Sequence, residues 1–572
     1  MEPSEQPARD PSIPGATWRW ALLLAGTCLL YLFQLGGLHN VKIGDETNYL
    51  QIARVTAGLP GWLPVSTDDG PWSTKPPLLF WQGILAARAF GETLFAYRLT
   101  SVFYSLATAA LVARFLLKER AGTKTAIVGA LCFLACFSTF RYGRAYLTNP
   151  PEVFWTFLAA SLVAHWRPRK LGGVALEWTL LGLILGVLTL YRSFALVVPY
   201  CLFLALWLFH ERRYALRPFL TRDVIKLVAV AALGLGIFSL WFLLDPNPQE
   251  VWDTFVRGEN AGKVDEHGYL SGLFSGPHSL FGLWFGHLVN TALLAIPLLA
   301  LVRMLWRTRH RLSRAEALCL TLILAYLLAF SIPSQRSGSY AMSGVPAIAV
   351  LLALRWAQFP AGVMRSACAL FLIVLPVMLA LALRVQLAGA LGPGFPVALW
   401  PVLVGGIWLA WRAVRDGRVA RAALLPLCFL LYLGLSLALR PMEGPLGRYA
   451  SGAIAATRGQ TLLMPSNHLR KHERYHFLLD PAVVHGYGIH GLDLSAESRA
   501  AIETALHAGK LVGVVLPEGA DPAEQYPGCE IVGSRLDLRT RHSGEQLRAM
   551  ILHGQLDLLL VREWLLRRRT TR

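Results

Sequence analysis

The chain has 572 residues, of which 55% are hydrophobic and only 16% are charged, and it carries a net charge of +19. Soluble globular proteins contain about 25% charged residues, so this composition excludes a cytosolic enzyme, a fibrous protein and a disordered protein. The deficit of charge is confined to residues 1–440, whereas 441–572 have the charge density of a soluble domain. Because the positive excess lies between apolar runs, it indicates membrane topology rather than nucleic-acid binding.

About thirteen apolar runs in residues 1–440 are candidates for membrane spans, since a spanning helix needs about 20 mostly apolar residues. They start near residues 18, 93, 123, 147, 173, 193, 223, 280, 313, 339, 363, 394 and 420. The first run has no small-residue cleavage site, so we predict a retained helix rather than a signal peptide. Two runs meet around Tyr191–Phe194. We treat them as separate because merging them would spoil the charge pattern of the later loops.

Lysine and arginine concentrate in alternate loops between these runs. Segments such as "LLKERAGTK", "HERRYALRPFLTRD" and "RMLWRTRHRLSR" are basic, whereas the loops between them are richer in acids. Cytoplasmic loops carry the basic excess, so residues 1–17 are predicted to be a cytoplasmic tail and 18–440 the membrane domain. An odd number of spans then places residues 441–572 on the outer side, together with the large loops 39–92 and 245–279.

Residues 441–572 alternate short β-rich runs with helical patterns, which predicts a small soluble α/β domain. Helices are predicted at 495–509 and 543–554, each opened by a serine and closed by a glycine. This domain holds only one of the eight cysteines, Cys529, so we predict no disulfide within it. The predicted strands are 460–466, 475–480, 510–518 and 529–538.

Three histidines of this domain, His468, His472 and His476, are spaced four residues apart. On a helix they would share one face, and this spacing can bind a metal ion. However, the surrounding stretch "NHLRKHERYH" is rich in lysine and arginine, and its end is predicted to be a strand. We therefore favour a solvated basic surface over a metal site.

The loop 39–92 begins with two adjacent acids, Asp45 and Glu46, directly after the first span. Adjacent acids at the mouth of a membrane protein are costly unless they are solvated or used. One interpretation is an exposed amphipathic helix with Asp45 as its N-cap and Glu46 in its first turn. The other is a general base at the membrane surface. The residues alone leave both interpretations open.

Several cations are predicted at the outer ends of the spans. Lys75 precedes two prolines and an aromatic stretch, where a lysine either snorkels to the interface or binds a lipid-linked phosphate as a point charge. Arg192 lies between two spans, and Arg336 and Tyr340 lie at the start of another. Arg144 belongs to a polar stretch that precedes a Pro-Pro pair and the fourth span.

Four segments, "GDETNYLQIARV", "STKPPLLFW", "YGRAYLTNPPEVFWTF" and "SIPSQRSGSYAMSGVPA", occur in this order with matching sidedness. Together they resemble the family 39 glycosyltransferases of the GT-C fold, which include the bacterial ArnT-like lipid A aminoarabinose transferases and the protein O-mannosyltransferases. The resemblance covers residues 18–360, and the remainder matches in layout. It implies a polytopic α-helical protein of the plasma (inner) membrane, with about 13 transmembrane helices and a periplasmic C-terminal α/β domain.

The resemblance also implies a function, that of an inverting glycosyltransferase. Such an enzyme moves a sugar from a polyprenyl-phosphate donor to an acceptor on the outer face of the membrane. The acceptor would be lipid A, another surface glycan or an exported protein, and nucleic acid is not an expected partner. Asp45 matches the catalytic carboxylate of the family, the Asp of its "DE" pair, and Glu46 beside it is predicted as a second catalytic acid. The predicted donor-phosphate group consists of Lys75, Arg192, Arg336 and Tyr340.

The sequence departs from the ArnT-like pattern at three places. Asn48 replaces the arginine of "DETRY", Thr74 replaces an acid before "KPP", and "EN" at 259–260 replaces "EH". The last two are places where the family can hold a metal, so we expect no metal and no other cofactor. These departures also argue against assigning aminoarabinose as the sugar. His267 and His278 either contact the acceptor or are ordinary loop residues. Further predicted loop contacts are Asn48, Tyr49, Arg144, Glu259, Asn260 and His267.

Two other functions remain as alternatives. A transporter or glycolipid flippase would be expected to carry internal repeats and polar breaks at mid-membrane. No repeat is visible in this sequence, and its conspicuous polar residues lie at the outer ends of spans. The third possibility is an inactive relative that acts as a scaffold, which replacement of Asp45 would distinguish from an enzyme.

Overall fold

A computed structural model describes residues 13–38, 44–166, 170–260, 271–274, 276, 278–389, 391–392, 394–466, 470–489, 492–517, 519–538, 544–555 and 559–569. Up to residue 443 the described chain is mostly helical, apart from a β-hairpin of strands β1 (Ser66–Thr67) and β2 (Gly70–Pro71). The helices of this part are α1 Thr17–Leu32, α2 Gly44–Ala57, α3 Leu78–Phe90, α4 Leu94–Lys118, α5 Thr123–Ala135, α6 Phe137–Tyr142, α7 Asn149–His165, α8 Leu171–Tyr191, α9 Val197–Glu211, α10 Leu216–Pro218, α11 Val224–Leu244, α12 Pro248–Val251, α13 Leu280–Trp284, α14 Gly286–Thr291, α15 Ala295–Arg307, α16 Arg314–Ser331, α17 Val345–Arg355, α18 Ala361–Ala369, α19 Phe371–Leu387, α20 Leu399–Arg415 and α21 Gly417–Glu443.

A helical segment begins near each of the thirteen predicted starts. In the described part of the chain, nine helical segments are long and apolar enough to cross a membrane. The other four, α1, α5, α7 and α20, are 16, 13, 17 and 17 residues long. The α8 and α9 helices are separate, as predicted, because the chain leaves the helical conformation at Arg192. The nine segments are Leu94–Lys118, Gly172–Tyr191, Phe194–Glu211, Leu216–Leu244, Leu280–Arg307, Arg314–Ser331, Gly338–Gln358, Ala361–Leu387 and Gly417–Glu443.

The helix bundle has a clear centre and a lipid-facing periphery. The segment Gly338–Gln358 is 78% buried, whereas Leu216–Leu244 is only 22% buried although it is among the most apolar. Since hydrocarbon is as apolar as leucine, a spanning helix exposes leucine to lipid at no cost and its packing is decided by shape. The most hydrophobic spans are therefore peripheral, and α4, α5, α7 and α17 pack around the centre.

Two buried tyrosines close the carboxyl end of α5 at the centre of the bundle. Tyr31 donates a hydrogen bond to the carbonyl of Leu134, and Tyr432 donates one to the carbonyl of Ala135, each at 2.7 Å. The last carbonyls of a helix have no partner within the helix, and such groups are costly when they are buried in a membrane protein. Phe140 stacks on Tyr432 at 4.1 Å between ring centroids, so the first and last spans meet around this helix end.

The C-terminal region forms one five-stranded sheet with the strand order β4-β3-β5-β7-β6. Strand β3 is parallel to β4 and β5, whereas β7 runs antiparallel to both of its neighbours. The Ser495 side chain caps the helix α23 by accepting a hydrogen bond from the Ser498 amide at 3.1 Å. The elements are α22 Ser451–Thr457, β3 Thr461–Pro465, β4 Val483–Tyr487, α23 Ala496–His507, β5 Leu511–Pro517, α24 Pro522–Gln525, β6 Cys529–Leu538, α25 Gly544–His553 and β7 Leu560–Arg568.

Three of the four predicted strands and both predicted helices of this domain are confirmed. The strand predicted at 475–480 is wrong, because the segment Lys471–Phe477 is a 3₁₀ helix. Strands β4 and β7 were not predicted. In β4 a histidine and a glycine interrupt the apolar pattern, and β7 is rich in charge. One of its charged side chains, Glu563, nevertheless points into the core.

The interior of the C-terminal domain contains a network of charged groups around Glu563, whose side chain has no exposed surface. Its carboxylate accepts hydrogen bonds from Arg535 at 2.8 and 3.1 Å and from Arg474 at 2.9 Å. The hydroxyls of Tyr449 and Tyr475 donate to it at 2.8 and 2.7 Å. The two guanidinium groups hold the pKa of Glu563 below its usual range despite its burial.

The stretch predicted to be a solvated basic surface instead lies against the membrane domain, so that prediction is wrong. Segment 470–477 packs on α2, and Glu473, buried within it, pairs with Arg54 of that helix. Burial lowers the pKa of His472 to about 4 and that of His476 to about 3, and the neighbouring Arg470 and Arg54 act in the same direction. His468 lies outside the described residues.

Replacement of Glu563 by glutamine is expected to destabilise the protein by about 3–5 kcal/mol, because it leaves buried guanidinium groups without their counter-charge. The measurement is thermal or denaturant unfolding of the full-length protein in detergent. The matched control is Glu530→Gln, which breaks an exposed pair with Arg567 in the same sheet and should cost at most about 1 kcal/mol. Equal effects of the two substitutions would contradict the prediction.

The buried histidines should make the protein less stable in acid. In the unfolded chain a histidine titrates near pH 6.5, whereas His476 in the folded protein stays neutral down to about pH 3. As the pH falls below 6.5, the unfolded chain therefore binds a proton that the folded chain does not bind, and the free energy of unfolding falls. The fall in apparent melting temperature between pH 6.5 and 5 should be smaller for His476→Asn than for wild type. An identical fall would contradict this.

Candidate active site

The two adjacent acids at the start of α2 have opposite environments. Both lie in the first turn of the helix, where negative charge is favourable. The Asp45 side chain is exposed, and none of the residues that the structure describes donates a hydrogen bond to its carboxylate. Glu46, by contrast, is 2% exposed. An available carboxylate therefore lies next to a fully engaged one.

Glu46 forms a buried, bidentate ion pair with Arg98 of α4. The Arg98 Nε and Nη2 atoms donate to the two oxygens of Glu46 at 2.6 and 2.8 Å. The amide of Tyr146 donates to the same carboxylate at 2.9 Å. Arg98 also donates to the carbonyls of Leu35, at 3.0 Å, and Gly37, which follow α1. This pair joins the start of α2 to α4 and to the end of α1.

Lys75 lies between the β1–β2 hairpin and α3, and its side chain pairs with Glu259. The two prolines after Lys75 bring the chain into α3, where Pro77 is the N-cap. Lys75 and Glu259 are one-fifth and about one-quarter exposed, so the pair is half-buried and reachable from the outside of the bundle. The Glu259 carboxylate therefore orients the Lys75 ammonium at the edge of the bundle.

Arg192, in the turn after α8, lies at the centre of a second group. Its guanidinium pairs with Glu152 of α7 and lies 4.9 Å from the centre of the Tyr340 ring, a cation–π distance. The Glu152 carboxylate is almost fully buried and also accepts a hydrogen bond from the Ser343 hydroxyl at 2.7 Å. Two helical segments, α7 and Gly338–Gln358, thus hold the arginine that follows α8 in a single orientation.

Tyr49 brings these groups into one site. Its pKa is raised by burial and by the negative charges of Asp45 and Glu259, whereas the nearby Arg192 lowers it. Because these charges act on the Tyr49 phenol, Asp45 lies within electrostatic range of it, and so do the ion pairs of Glu259 with Lys75 and of Arg192 with Glu152. The ring packs edge-on against Phe80, which fixes its position. The structure therefore brings together Asp45, Tyr49, Lys75, Arg192, Glu259 and Tyr340.

Two arginines that were predicted to contact the donor or acceptor, Arg336 and Arg144, instead donate hydrogen bonds to backbone carbonyls. The Arg336 guanidinium, 1% exposed, donates to the carbonyls of Ser331 at 2.9 Å and His278 at 3.3 Å. The Nδ1 atom of His278 in turn lies 2.8 Å from the Arg336 carbonyl. Arg144 is equally buried and donates to the carbonyls of Tyr31, at 3.1 Å, and Phe33. In both cases these hydrogen bonds direct the guanidinium toward the backbone rather than toward solvent.

The remaining predicted residues line the edge of the site. Asn260 accepts a hydrogen bond from Ser193 and donates one to the carbonyl of Phe255, both at 2.7 Å, so it ties the loop of Glu259 to the turn of Arg192. Asn48 is half-buried on α2. His267 lies outside the described residues. No group of three or more potential metal-binding side chains occurs within the described ranges.

Sequence reasoning missed Glu152, which holds Arg192. A signal was available, because an acid in the first turn of an apolar helix after a Pro-Pro pair is an expensive residue in a membrane protein. Glu46 was predicted as a second catalytic acid, but both of its oxygens are bound by Arg98. Spacing could not reveal this pairing, since 52 residues separate the two partners.

Comparisons with known proteins point to one family. The family model of the dolichyl-phosphate-mannose-protein mannosyltransferases matches residues 45–255. An undecaprenyl phosphate-alpha-4-amino-4-deoxy-L-arabinose arabinosyl transferase of Pseudomonas paraeruginosa is 30% identical over 352 residues, which span 58% of each chain. A transferase of the same activity from Sodalis glossinidius is 28% identical over 489 residues, which span 80% of this chain and 82% of that one.

The fold has a counterpart among solved structures. The crystal structure of ArnT from Cupriavidus metallidurans bound to undecaprenyl phosphate superposes with a TM-score of 0.62 at 15% identity, and it covers 96% of this chain and 98% of that one. At this identity the match concerns the fold, and it extends over both the membrane bundle and the C-terminal domain. The chain is therefore a multi-pass membrane protein of the GT-C fold, and it resembles the ArnT-like family 39 of polyprenyl-phosphate-dependent glycosyltransferases.

Proposed function

We propose that this chain is an inverting glycosyltransferase that moves a sugar from a polyprenyl-phosphate donor to an acceptor hydroxyl on the outer face of the plasma membrane. The acceptor is lipid A, another surface glycan or an exported protein. The observation that carries the proposal is the exposed Asp45 carboxylate. It lies within electrostatic range of the buried Tyr49 phenol, on which the charges of Arg192 and Glu259 also act. One unoccupied base beside two oriented cations suits a reaction between a hydroxyl and a sugar phosphate.

In the proposed reaction Asp45 takes the proton of the acceptor hydroxyl as its oxygen attacks the anomeric carbon. The bond between that carbon and the phosphate oxygen breaks, and the polyprenyl phosphate leaves with the electron pair. A single displacement of this kind inverts the configuration of the anomeric carbon. The negative charge on the leaving phosphate grows during the reaction, so cations that face it stabilise the transition state more than the bound donor.

Lys75 and Arg192 are the proposed partners of that phosphate. Each is already oriented by a carboxylate, Glu259 for Lys75 and Glu152 for Arg192. Orientation before binding reduces the entropy that is lost when the phosphate arrives. Arg192 pairs with one carboxylate among the described residues, which leaves further N–H donors of its guanidinium for phosphate oxygens, because a guanidinium has five such donors.

The other predicted residues have supporting roles in this proposal. Glu46 positions the first turn of α2, and Arg336 holds the loop that leads to Tyr340. Tyr340 lies against the Arg192 guanidinium and restricts its movement. Asn48 and Asn260 are proposed to contact donor or acceptor at the rim. This proposal needs no metal or other cofactor, since the leaving phosphate is neutralised by side chains.

The sidedness of the protein is part of the same proposal. Residues 1–17 are cytoplasmic, 18–440 form the membrane domain and 441–572 form the outer domain. The contacts between α2 and segment 470–477 support a common side for the site and the C-terminal domain. The excess of lysine and arginine in the alternate loops supports the outer face for both.

Replacement of Asp45 by asparagine is expected to lower kcat by about 10²–10⁴-fold, the usual contribution of a positioned general base. Binding of undecaprenyl phosphate should remain as in wild type, because Asp45 acts on the acceptor. Transfer would be followed by mass spectrometry of lipid A and exported proteins after incubation with undecaprenyl-phosphate-linked sugars, beginning with 4-amino-4-deoxy-L-arabinose.

The matched control for this test is Asp253→Asn, which removes another exposed aspartate of the same face, in the loop that carries Glu259. It should leave transfer at the wild-type rate. Full transfer activity in Asp45→Asn would contradict the proposed mechanism, and an unchanged set of surface glycans in cells that lack the protein would contradict the proposed function.

Lys75→Gln is expected to raise the KM for the donor about ten- to hundred-fold, since it removes one charge-assisted contact to the phosphate, worth about 1.5–3 kcal/mol. It should also lower kcat, because this contact strengthens as the phosphate leaves. The affinity for free undecaprenyl phosphate should fall in parallel, which separates a phosphate contact from a contact to the sugar. Arg257→Gln, which removes an exposed cation near Glu259, serves as control. An unchanged donor KM in Lys75→Gln would exclude the assigned role.

A further inference from the structure

The contact between the C-terminal domain and the membrane domain is a closed set of charged and amide side chains, which we call the clamp. Three parts of the chain contribute to it: the carboxyl-terminal half of α2, the turn of the β1–β2 hairpin, and the segment 470–477 of the C-terminal domain. Its members are Gln51, Arg54, Asp68, Asp69, Arg470 and Glu473.

The strongest contact of the clamp is the pair of Arg54 and Glu473. The Arg54 Nε and Nη2 atoms donate to the two oxygens of Glu473 at 2.6 and 3.1 Å, and the Glu473 side chain has no exposed surface. Arg54 Nη2 also lies 3.4 Å from the Asp68 carboxylate in the hairpin turn. One guanidinium thus joins all three parts, and a buried bidentate pair is far less screened by solvent than a surface ion pair.

Arg470 makes a second connection between the same three parts. It donates to the Gln51 amide oxygen and pairs with Asp69 at 2.7 Å. The Gln51 amide nitrogen in turn donates to Asp68 at 2.8 Å. The hairpin is therefore held to α2 directly by Gln51 and Arg54, and also through Arg470 of the C-terminal domain, whereas Glu473 of the same domain holds the Arg54 guanidinium in place.

The segment that carries Glu473 is itself rigidly held from the other side. The next residue, Arg474, donates to Asp537 and to Glu563 in the sheet, each at 2.9 Å. Phe477 packs edge-on against Tyr97 of α4, at 6.3 Å between ring centroids. A sheet of five strands, a 3₁₀ turn and α2 thus form one continuous chain of buried contacts.

We propose that the C-terminal domain positions the catalytic groups through this clamp, with Glu473 and Arg54 as its positioning residues. The proposal rests on the proposed function, because it concerns the distance between Asp45 and Lys75. Asp45 lies nine residues before Arg54 on the same helix, roughly 13 Å away at 1.5 Å per residue. Lys75 follows the hairpin by four residues. Locking the hairpin onto α2 therefore fixes the base relative to the phosphate-binding lysine.

The expected effect of breaking the clamp follows from what each step requires. Donor binding needs the cations, which Glu259 and Glu152 orient without the clamp. The transition state needs the base and the cations at the correct separation. A displacement of 1 Å can lower a rate by as much as about 100-fold. Loss of the clamp should thus lower kcat and leave the KM for the donor nearly unchanged, whereas Lys75→Gln should raise that KM.

The test uses three substitutions in the full-length protein. Glu473→Gln and Arg54→Gln break the pair from its two sides, and each is expected to lower kcat about tenfold or more with a donor KM within about twofold of wild type. The double variant should be no worse than the more affected single one, since both remove the same contact. Arg458→Gln is the control, because it breaks an exposed pair with Asp480 in the same domain without touching α2.

Hydrogen exchange separates loss of positioning from loss of folding without any substrate. Exchange should rise in residues 44–71 of both clamp variants and remain as in wild type in α23, on the far side of the sheet. If α23 also exchanges in Glu473→Gln, that substitution has unfolded the domain, and Arg54→Gln then decides. The proposal is overturned if a folded clamp variant keeps its kcat within about twofold, or if the donor KM rises as far as kcat falls.

The outcome is distinguishable from a failure of the proposed function. If Asp45→Asn is fully active, the assigned base is wrong whatever the clamp variants do. If Asp45→Asn is inactive and both clamp variants are folded and active, the base is right and the positioning role is wrong. Undecaprenyl phosphate binding should be retained in all clamp variants, and its loss would also overturn the positioning role.

Discussion

The buried ion pair between Glu46 and Arg98 is the constraint on which the rest of the site depends. A charge in the low-dielectric interior is tolerated only if it is paired and its remaining donors and acceptors are satisfied. Here the Arg98 guanidinium satisfies Glu46 and two carbonyls after α1, and the Tyr146 amide completes the set. The start of α2 is therefore determined by electrostatics rather than by apolar packing. Asp45, one residue earlier, lies outside this buried pair and is exposed.

The same rule explains why the cations of the site have acidic partners. Lys75 and Arg192 lie at the edge of an apolar bundle, where an isolated charge would be costly. Glu259 and Glu152 reduce that cost, and they also define where each cation points. The acidic partners stabilise the protein without a bound donor, and in the proposed mechanism they align the cations for the phosphate. Stability and preorganisation thus come from the same contacts.

The sequence was sufficient for the parts that depend on local pattern. Hydropathy located the thirteen helical segments, and caps and glycines located α23 and α25, because these signals act within a few residues. Resemblance located Asp45, Lys75, Arg192 and Tyr340, which the structure brings together around Tyr49. Pattern failed for β7, which buries the charged Glu563 and ends in two exposed arginines. It also failed for the segment 470–477, where basic residues predicted solvent exposure and the structure has an interface.

What the sequence by itself determined is the set of parts: two adjacent acids after the first span, cations at the ends of other spans, and a C-terminal α/β domain. Only the tertiary structure decided which of the two adjacent acids is available, which arginines hold backbone carbonyls, and what the C-terminal domain touches. The physical reason is that each decision depends on a pairing across a long sequence separation. Arg54 and Glu473 are 419 residues apart. The cost of leaving a charge buried alone is what selects such pairs, and it is incurred only once the chain has folded.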